Sequence, residues 1–125
     1  MKDVITTAKA PRAIGPYSQA IKANGFVFVS GPLPIDPASG LIVEASAAEH
    51  TRVILEHLKA ILEAAGSSLG KRVKTTIYLE DLNDFAAVNE VYRLSFPSAP
   101  PARATVEVAR LPKEARVEID LIALV

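Results

Sequence analysis

Residues 101–125 read PARATVEVARLPKEARVEIDLIALV, and charged and apolar side chains alternate through much of this stretch, which is the most informative part of the chain. The pattern predicts two strands, over about residues 102–110 and 116–125, with Arg103 on the first and Glu118 on the second. A guanidinium can clamp a carboxylate through two parallel hydrogen bonds, and a carboxylate can hold or deprotonate a water molecule. The pair therefore suits water-driven chemistry on a small acid. The same residue types on half-exposed strands are also common as solvated surface.

Composition limits the classes of protein and partner. The 125 residues include no cysteine, and 14 basic against 14 acidic residues give a formal net charge of zero. We expect a single domain over residues 1–125 without disulfides or thiol chemistry. Nucleic acid is not expected as the main partner, because phosphate binding needs a clustered basic surplus. The N-terminus lacks the apolar core of a secretory signal and no run approaches a membrane span, so we expect a cytoplasmic protein without a membrane partner.

The rest of the chain predicts the order β-β-β-α-β-α-β-β. Strands are expected at residues 4–6, 17–22 and 26–30, and Asn24-Gly25 supplies the positive φ angles of a hairpin between the last two. The prolines of residues 31–37 predict an ordered loop. A further strand is expected over residues 72–79, where side chains alternate again.

Two helices are predicted from caps and from apolar spacing. Ser46 and Glu49 match a capping box at the start of the first helix. Its core face is expected to hold Ile54, Leu55, Leu58, Ile61, Leu62 and Ala65, and Gly66 suits its C-terminal cap. Asp84 is expected to cap the second helix, whose inner side would carry Phe85, Val88, Val91 and Tyr92, and Pro97 would end it.

These elements predict an α+β sandwich of one sheet and two helices, which cover only one face of the sheet. Phe26-Val27-Phe28-Val29 and Leu121-Ile122-Ala123-Leu124-Val125 are nevertheless apolar on both faces. Strands of that kind are normally buried on both sides. We therefore expect the uncovered face to bind another subunit.

Other candidate chemistry is limited. His50 and His57 are two helical turns apart, roughly 10 Å, which is too far to share one metal ion, and we expect both to face solvent. No phosphate-binding glycine motif is present. The Gly15-Pro16 turn delivers Tyr17 to a strand start, where its hydroxyl can cap a pocket or its ring can simply pack.

Eight collinear segments of the chain resemble the RidA family, also called the YjgF family, of reactive-imine deaminases. They include AIGPYSQA at residues 13–20 and VSG at residues 29–31, and the others cover residues 34–40, 58–66, 73–79, 83–89, 101–112 and 117–120. The resemblance implies a chorismate-mutase-like fold with one mixed six-stranded sheet, and a homotrimer with ligand sites between subunits. It also implies that the last strand inserts between earlier ones and leaves the Arg103 strand at the edge.

The resemblance further implies hydrolysis of 2-imino acids, such as 2-iminopropanoate and 2-iminobutanoate, to 2-oxo acids and ammonia without a cofactor or metal. Arg103 would clamp the carboxylate, Glu118 would activate water, and the backbone of Gly31 after Ser30 would contact the imino end. The same cleft would be lined by Tyr17, Asn89 and Thr105.

Two positions depart from the common pattern of the family. Pro32 stands where many members have Gln, which leaves the substrate range open, and Thr105 stands where many have Cys. Two other functions compete with the deaminase: a non-catalytic, small-carboxylate-binding or chaperone-like trimer, and the ribonuclease or translation-inhibitor activity ascribed to some relatives. Neutral charge disfavours the ribonuclease, and a pure binder has no need of Glu118.

Overall fold

The structure is a computed structural model that describes residues 2–125. The predicted order of strands and helices is confirmed. The strands are β1 (Lys2–Ile5), β2 (Ala20–Ala23), β3 (Phe26–Val29), β4 (Arg72–Leu79), β5 (Ala102–Glu107) and β6 (Val117–Leu124), and the helices are α1 (Ala47–Ala64) and α2 (Phe85–Ser95). No helix among the described residues is long and apolar enough to span a bilayer.

The six strands form one mixed sheet in the order β1-β2-β3-β6-β4-β5. β5 runs parallel to β4, and every other neighbouring pair is antiparallel. β6 therefore lies in the middle of the sheet, hydrogen-bonded to β3 and β4, although it follows β5 directly in sequence. The strand that carries Arg103 is left at the edge, as the family resemblance implies.

Both helices pack on the same face of the sheet, where the core lies. Alternate residues of β6 point into it and are buried, and their neighbours across β3 and β4 complete the layer. α1 contributes a stripe with the 3–4 spacing of an amphipathic helix. The main cluster includes Val27, Ile54, Leu58, Ile61, Leu62, Ile77, Val117, Ile119 and Leu121.

The opposite face of the sheet, called here the open face, bears no helix among residues 2–125 and is apolar where β3 lies beside the end of β6. By register, Phe28 lies beside Ile122 and Phe26 beside Leu124 on this face. Phe28 remains 45% exposed and Leu124 47% exposed. Contiguous exposed apolar surface of this kind commonly marks a binding interface.

Several local predictions are confirmed and others need correction. Asn24 and Gly25 have φ angles of 52° and 81°, as the hairpin requires. β2 begins at Ala20, three residues later than expected, because the Tyr17 amide donates to the Gly15 carbonyl in a tight turn. The β5 strand is also three residues shorter at its end, at Glu107.

The helix caps are confirmed only in part. Ser46 Oγ accepts from the Glu49 amide, but the Glu49 side chain bonds Arg52 instead of returning to the cap. Asp84 makes no capping bond, since a turn of 3₁₀ helix, Leu82–Asp84, runs directly into α2. The side chain that accepts an amide hydrogen here belongs to Asp81, which starts that turn.

The expectation that His50 and His57 face solvent is wrong, because both side chains are buried. His57 Nε2 donates to the Ile35 carbonyl at 2.8 Å, and His50 Nε2 donates to the Val43 carbonyl at 2.6 Å. His50 Nδ1 also accepts from the Arg116 amide at 3.3 Å. The two rings therefore attach the loop between β3 and α1 to the helix, because its buried carbonyls need donors.

Candidate functional site

The predicted site residues form two groups, and each group lies on its own face of the sheet. Arg103 pairs with Thr75 on β4, and Glu118 pairs with Tyr78. Thr75 and Tyr78 are three positions apart, so side-chain alternation points them to opposite faces. One chain therefore does not bring the Arg103 guanidinium and the Glu118 carboxylate together.

The first group, called the arginine half-site, consists of Arg103, Asn89 and Thr105. Arg103 Nη1 donates to Asn89 Oδ1 at 2.7 Å, and the other guanidinium nitrogens make no hydrogen bond within residues 2–125. The guanidinium carbon lies 5.0 Å from the centre of the Tyr92 ring and 5.6 Å from that of Phe85. Contacts with two aromatic rings and one amide hold the cation in place and leave donors for a ligand.

Thr105 lies two residues along β5 from Arg103, on the same face. Its hydroxyl oxygen is buried and has no hydrogen-bond partner among the described residues. Unpaired buried hydroxyls are uncommon because burial without a partner costs free energy. The position of Thr105 agrees with the predicted group, but its hydroxyl is not open to the surface of a single chain.

The second group, called the glutamate half-site, consists of Tyr17, Ser30, Gly31 and Glu118. All four line one cavity of about 370 Å³. A cavity of this size falls in the range of roughly 300–1,000 Å³ typical of small-molecule sites. The predicted residues of this group therefore share one concave surface.

The Glu118 carboxyl group is partly buried on β6, and burial raises its pKa above the ordinary glutamate value. The nearby carboxylate of Asp120 raises the pKa further. A raised pKa makes a carboxyl group a better proton acceptor at near-neutral pH. Glu118 thus has the electrostatic character of a general base.

Gly31 lies directly against this carboxyl group. A Cβ at this position would stand 2.7 Å from both Cγ and Oε2 of Glu118. No side chain fits at that distance without moving Glu118. No sequence pattern indicates this contact directly, because the two residues are far apart in the chain.

Hydrogen bonds in the loop fix the other members of the half-site. Ser30 Oγ donates to the Ser18 carbonyl at 2.7 Å, and the Ile14 amide donates to the Tyr17 hydroxyl at 3.3 Å. Tyr17 remains 51% exposed, so its ring borders the cavity while its hydroxyl holds the turn.

Sequence reasoning missed three supporting residues. Gln19 is buried, and its amide bonds the backbone of Thr7, Ala10 and Pro11. The rings of Phe85 and Tyr92 were assigned to packing, not to Arg103. Spacing could have found these two, because residues 85, 89 and 92 lie on one face of a helix.

Within residues 2–125, no group of three or more His, Asp or Glu side chains is placed to hold a metal ion. The site offers instead a cation with open donors in one half and a carboxyl group with a raised pKa in the other. Such a combination can bind a carboxylate and accept a proton from water.

A family model described as endoribonuclease L-PSP matches residues 7–125. The chain belongs to this family. Among its relatives is a RutC family protein of Pyrococcus horikoshii, 56% identical over 123 residues that cover 98% of each chain. The bovine protein named 2-iminobutanoate/2-iminopropanoate deaminase is 48% identical over 99% of this chain and 90% of its own.

A solved structure confirms the fold of this endoribonuclease L-PSP family member. The crystal structure of YyfA from Yersinia pestis, a protein of the conserved Rid family, superposes with a TM-score of 0.97. The two chains are 48% identical and match over their full lengths. The resemblance to the RidA family is therefore confirmed, and the deaminase relatives support an imine deaminase activity.

Proposed function

We propose that this protein hydrolyses 2-imino acids, with 2-iminopropanoate and 2-iminobutanoate as expected substrates, to 2-oxo acids and ammonia. The observation that carries the proposal is the pair of half-sites. One presents the open donors of Arg103, and the other presents the Glu118 carboxyl group with its raised pKa. The name of the bovine relative supports the same reaction.

The working site would form between copies of the chain in a homotrimer. The two half-sites lie on opposite faces of the sheet, so a second copy is needed to place one against the other. The exposed apolar open face supplies a driving force for that association. Closed cyclic symmetry would then repeat the same site at every interface.

Arg103 would bind the substrate carboxylate. The contacts with Asn89, Phe85 and Tyr92 hold the guanidinium before the substrate arrives, so less conformational freedom is lost on binding. A bidentate contact also fixes the orientation of the imine carbon relative to the other half-site.

Glu118 would hold the attacking water and accept one of its protons as the oxygen bonds to the C=N carbon. Glu118 would pass that proton to the imine nitrogen, which becomes the amine of a tetrahedral carbinolamine. Glu118 would then move the hydroxyl proton of the carbinolamine to the amine, so that ammonia leaves as the C=O bond of the 2-oxo acid forms. The backbone of Gly31 would contact the imino end beside the carboxyl group. Tyr17 and Ser30 would close the cleft, and Thr105 would line it beside the clamp.

The description of the family raises ribonuclease activity as a second candidate. The zero net charge supports the deaminase over this candidate, because RNA binding relies on clustered positive charge. Incubation of the purified protein with RNA therefore belongs in the same set of assays.

The direct test generates imines in situ with an amino-acid oxidase and measures the release of 2-oxo acid with and without the protein. We expect a faster release, and a loss of at least about tenfold in Glu118→Gln, because general-base assistance commonly contributes 10²–10⁴-fold. Binding of an inert 2-oxo acid should survive, since Gln preserves the size of the side chain.

Glu63→Gln is the matched control, because Glu63 is exposed on α1 away from both half-sites. It should leave the rate unchanged. Equal rates in wild type and Glu118→Gln would refute the role of Glu118. The absence of any acceleration by the wild type, together with tight binding of 2-oxo acids, would favour the non-catalytic binding protein.

A further inference from the structure

Arg12 lies on the wall of the same cavity as Glu118, and the two are the charged residues among those that line it. The Arg12 side chain is exposed. The cavity, at about 370 Å³, is in the range of roughly 300–1,000 Å³ that serves drug-sized ligands. It is therefore larger than a three- or four-carbon imino acid requires.

The backbone around Arg12 is fixed on both sides. The Pro11 carbonyl accepts from Gln19 Nε2 at 2.7 Å, and the Ile14 amide donates to the Tyr17 hydroxyl at 3.3 Å. Because Gln19 is itself buried, the first of these bonds is anchored in the body of the domain. The Cα of Arg12 is thus held beside the cavity.

The guanidinium of Arg12 has no partner within residues 2–125. The ion pairs of this part of the chain join Arg52 to Glu49 and Glu56, and Arg93 to Glu90, all on helix surfaces. Arg12 therefore keeps its full set of planar donors for a ligand, and it does not neutralise Glu118.

Further concave surface lies next to Arg12. A second cavity of about 130 Å³ is bordered by Arg12 and by the loop residues Pro37, Ser39 and Gly40. Pro11, Ile14 and Ile35 line both cavities, so Arg12 stands between them. A ligand at Glu118 with an extended side chain would meet this arginine.

We propose that Arg12 binds a second carboxylate, carried on the substrate side chain, and extends the substrate class to 2-imino dicarboxylic acids. This inference rests on the proposed function. Arg103 of a second copy would bind the carboxylate next to the imine, and Arg12 would bind the distal one. Two cations would also offset the repulsion between an acidic substrate and the Glu118 carboxylate.

The test compares two imines that amino-acid oxidases generate in situ, one from alanine and one from aspartate. In Arg12→Ala we expect kcat/KM for the aspartate-derived imine to fall about tenfold, and that for the alanine-derived imine to change less than about twofold. The expected tenfold fall in kcat/KM follows from the loss of a charge-assisted hydrogen bond at a partly solvated site. Arg12→Lys should retain part of the selectivity.

Lys9→Ala is the matched control, since Lys9 is an exposed cation of the same loop that does not line the cavity. It removes the same charge and should leave the ratio of the two kcat/KM values unchanged. An unchanged ratio in Arg12→Ala, or an equal loss on both imines, would overturn the proposal. If wild type hydrolysed neither imine, the proposed function itself would fail.

Discussion

Single residues determine how each half-site is prepared for a ligand. Asn89 accepts a hydrogen bond from one nitrogen of Arg103, and the rings of Phe85 and Tyr92 flank the guanidinium. A cation placed in this way is stabilised without being neutralised, because an aromatic face attracts charge but accepts no proton. Under the proposed function, the remaining donors stay available for the substrate carboxylate.

Replacement of Arg103 by Ala should strongly reduce imine hydrolysis and leave the chain folded. A charge-assisted hydrogen bond contributes roughly 1.5–3 kcal/mol, so loss of one corresponds to about tenfold or more and loss of two to several hundredfold or more. We therefore expect the rate to fall at least about tenfold. Lys should substitute poorly because it lacks the planar fork. The rate of oxo-acid release measures the loss of activity, and circular dichroism checks that the chain stays folded.

Arg93→Ala serves as its control, since Arg93 is an exposed arginine of α2 that pairs with Glu90 on the same helix. Its rate should equal that of wild type. If Arg103→Ala kept most of the activity, the carboxylate would have to bind elsewhere.

Gly31→Ala should lower turnover by displacing Glu118. The added Cβ would stand 2.7 Å from Cγ and Oε2 of Glu118, so this side chain would have to shift. We therefore expect a fall of about tenfold or more in kcat with only about 1 kcal/mol of lost stability. Steady-state kinetics and urea unfolding measure the two quantities.

Gly70→Ala is the comparison, because a Cβ there would meet Ser68 Oγ at an ordinary 3.5 Å. Its turnover should be normal. A Gly31→Ala protein with wild-type turnover would show that the position of Glu118 is not critical.

At the scale of elements, the histidines of α1 show what the sequence could and could not predict. His50, Ile54, His57 and Ile61 are spaced by four, three and four residues, which is the spacing of a single helix face. The pattern thus contained the signal that both rings lie inward. Their partners could not be foreseen, because the carbonyls of Ile35 and Val43 reach α1 only after the loop has folded.

Other elements were predictable for clear physical reasons. Strands and helices followed from periodicity, and the Asn24-Gly25 turn followed from its need for positive φ angles. The insertion of β6 between β3 and β4 came only from the family resemblance, since the short segment after β5 would also suit a hairpin. The contact of Gly31 with Glu118 depends on that insertion, so the sequence pattern could not predict it either.

His57 should make the stability of the loop and helix depend on pH. Burial lowers the pKa of His57 below its ordinary value of 6.5, and it outweighs the opposing effects of the Ile35 carbonyl, Glu56 and Asp36. Between the folded and unfolded pKa values, His57 is protonated in the unfolded chain and neutral in the folded chain. The resulting stability is present above about pH 6.5 and is lost as the pH falls from there through the folded pKa.

His57→Gln should therefore flatten the pH dependence of the unfolding free energy between about pH 7.5 and 5.5. Gln can still donate to the Ile35 carbonyl, so the fold should survive. Lys59→Gln on the same helix should keep the wild-type slope. Identical slopes in wild type and His57→Gln would contradict the assignment.

At the scale of the whole molecule, the open face and the divided site point to the same assembly. Three chains of 13.3 kDa give about 40 kDa, which sedimentation can distinguish from a monomer. A stable monomer would remove the proposed site. Each complete site would combine the arginine half-site of one copy with the glutamate half-site of another. A chain that has lost one half-site could therefore still contribute its other half-site to a neighbour.

Mixing the two impaired variants should therefore restore part of the activity. After unfolding and joint refolding of Arg103→Ala with Glu118→Gln, about one quarter of the interfaces should combine two intact halves. Each variant refolded alone should keep only its own reduced rate. Failure of the mixture to regain oxo-acid release would show that the two residues act within one chain or not at all.

The position of Arg103 and Glu118 on opposite sides of one sheet has a kinetic consequence under the proposed assembly. A monomer released by dilution would keep its fold and both functional groups, yet it would contain no complete centre. The rate per milligram of protein would then decline below the concentration at which subunits dissociate, by mass action. Freshly diluted samples would slow progressively, and concentrating them again would bring the rate back.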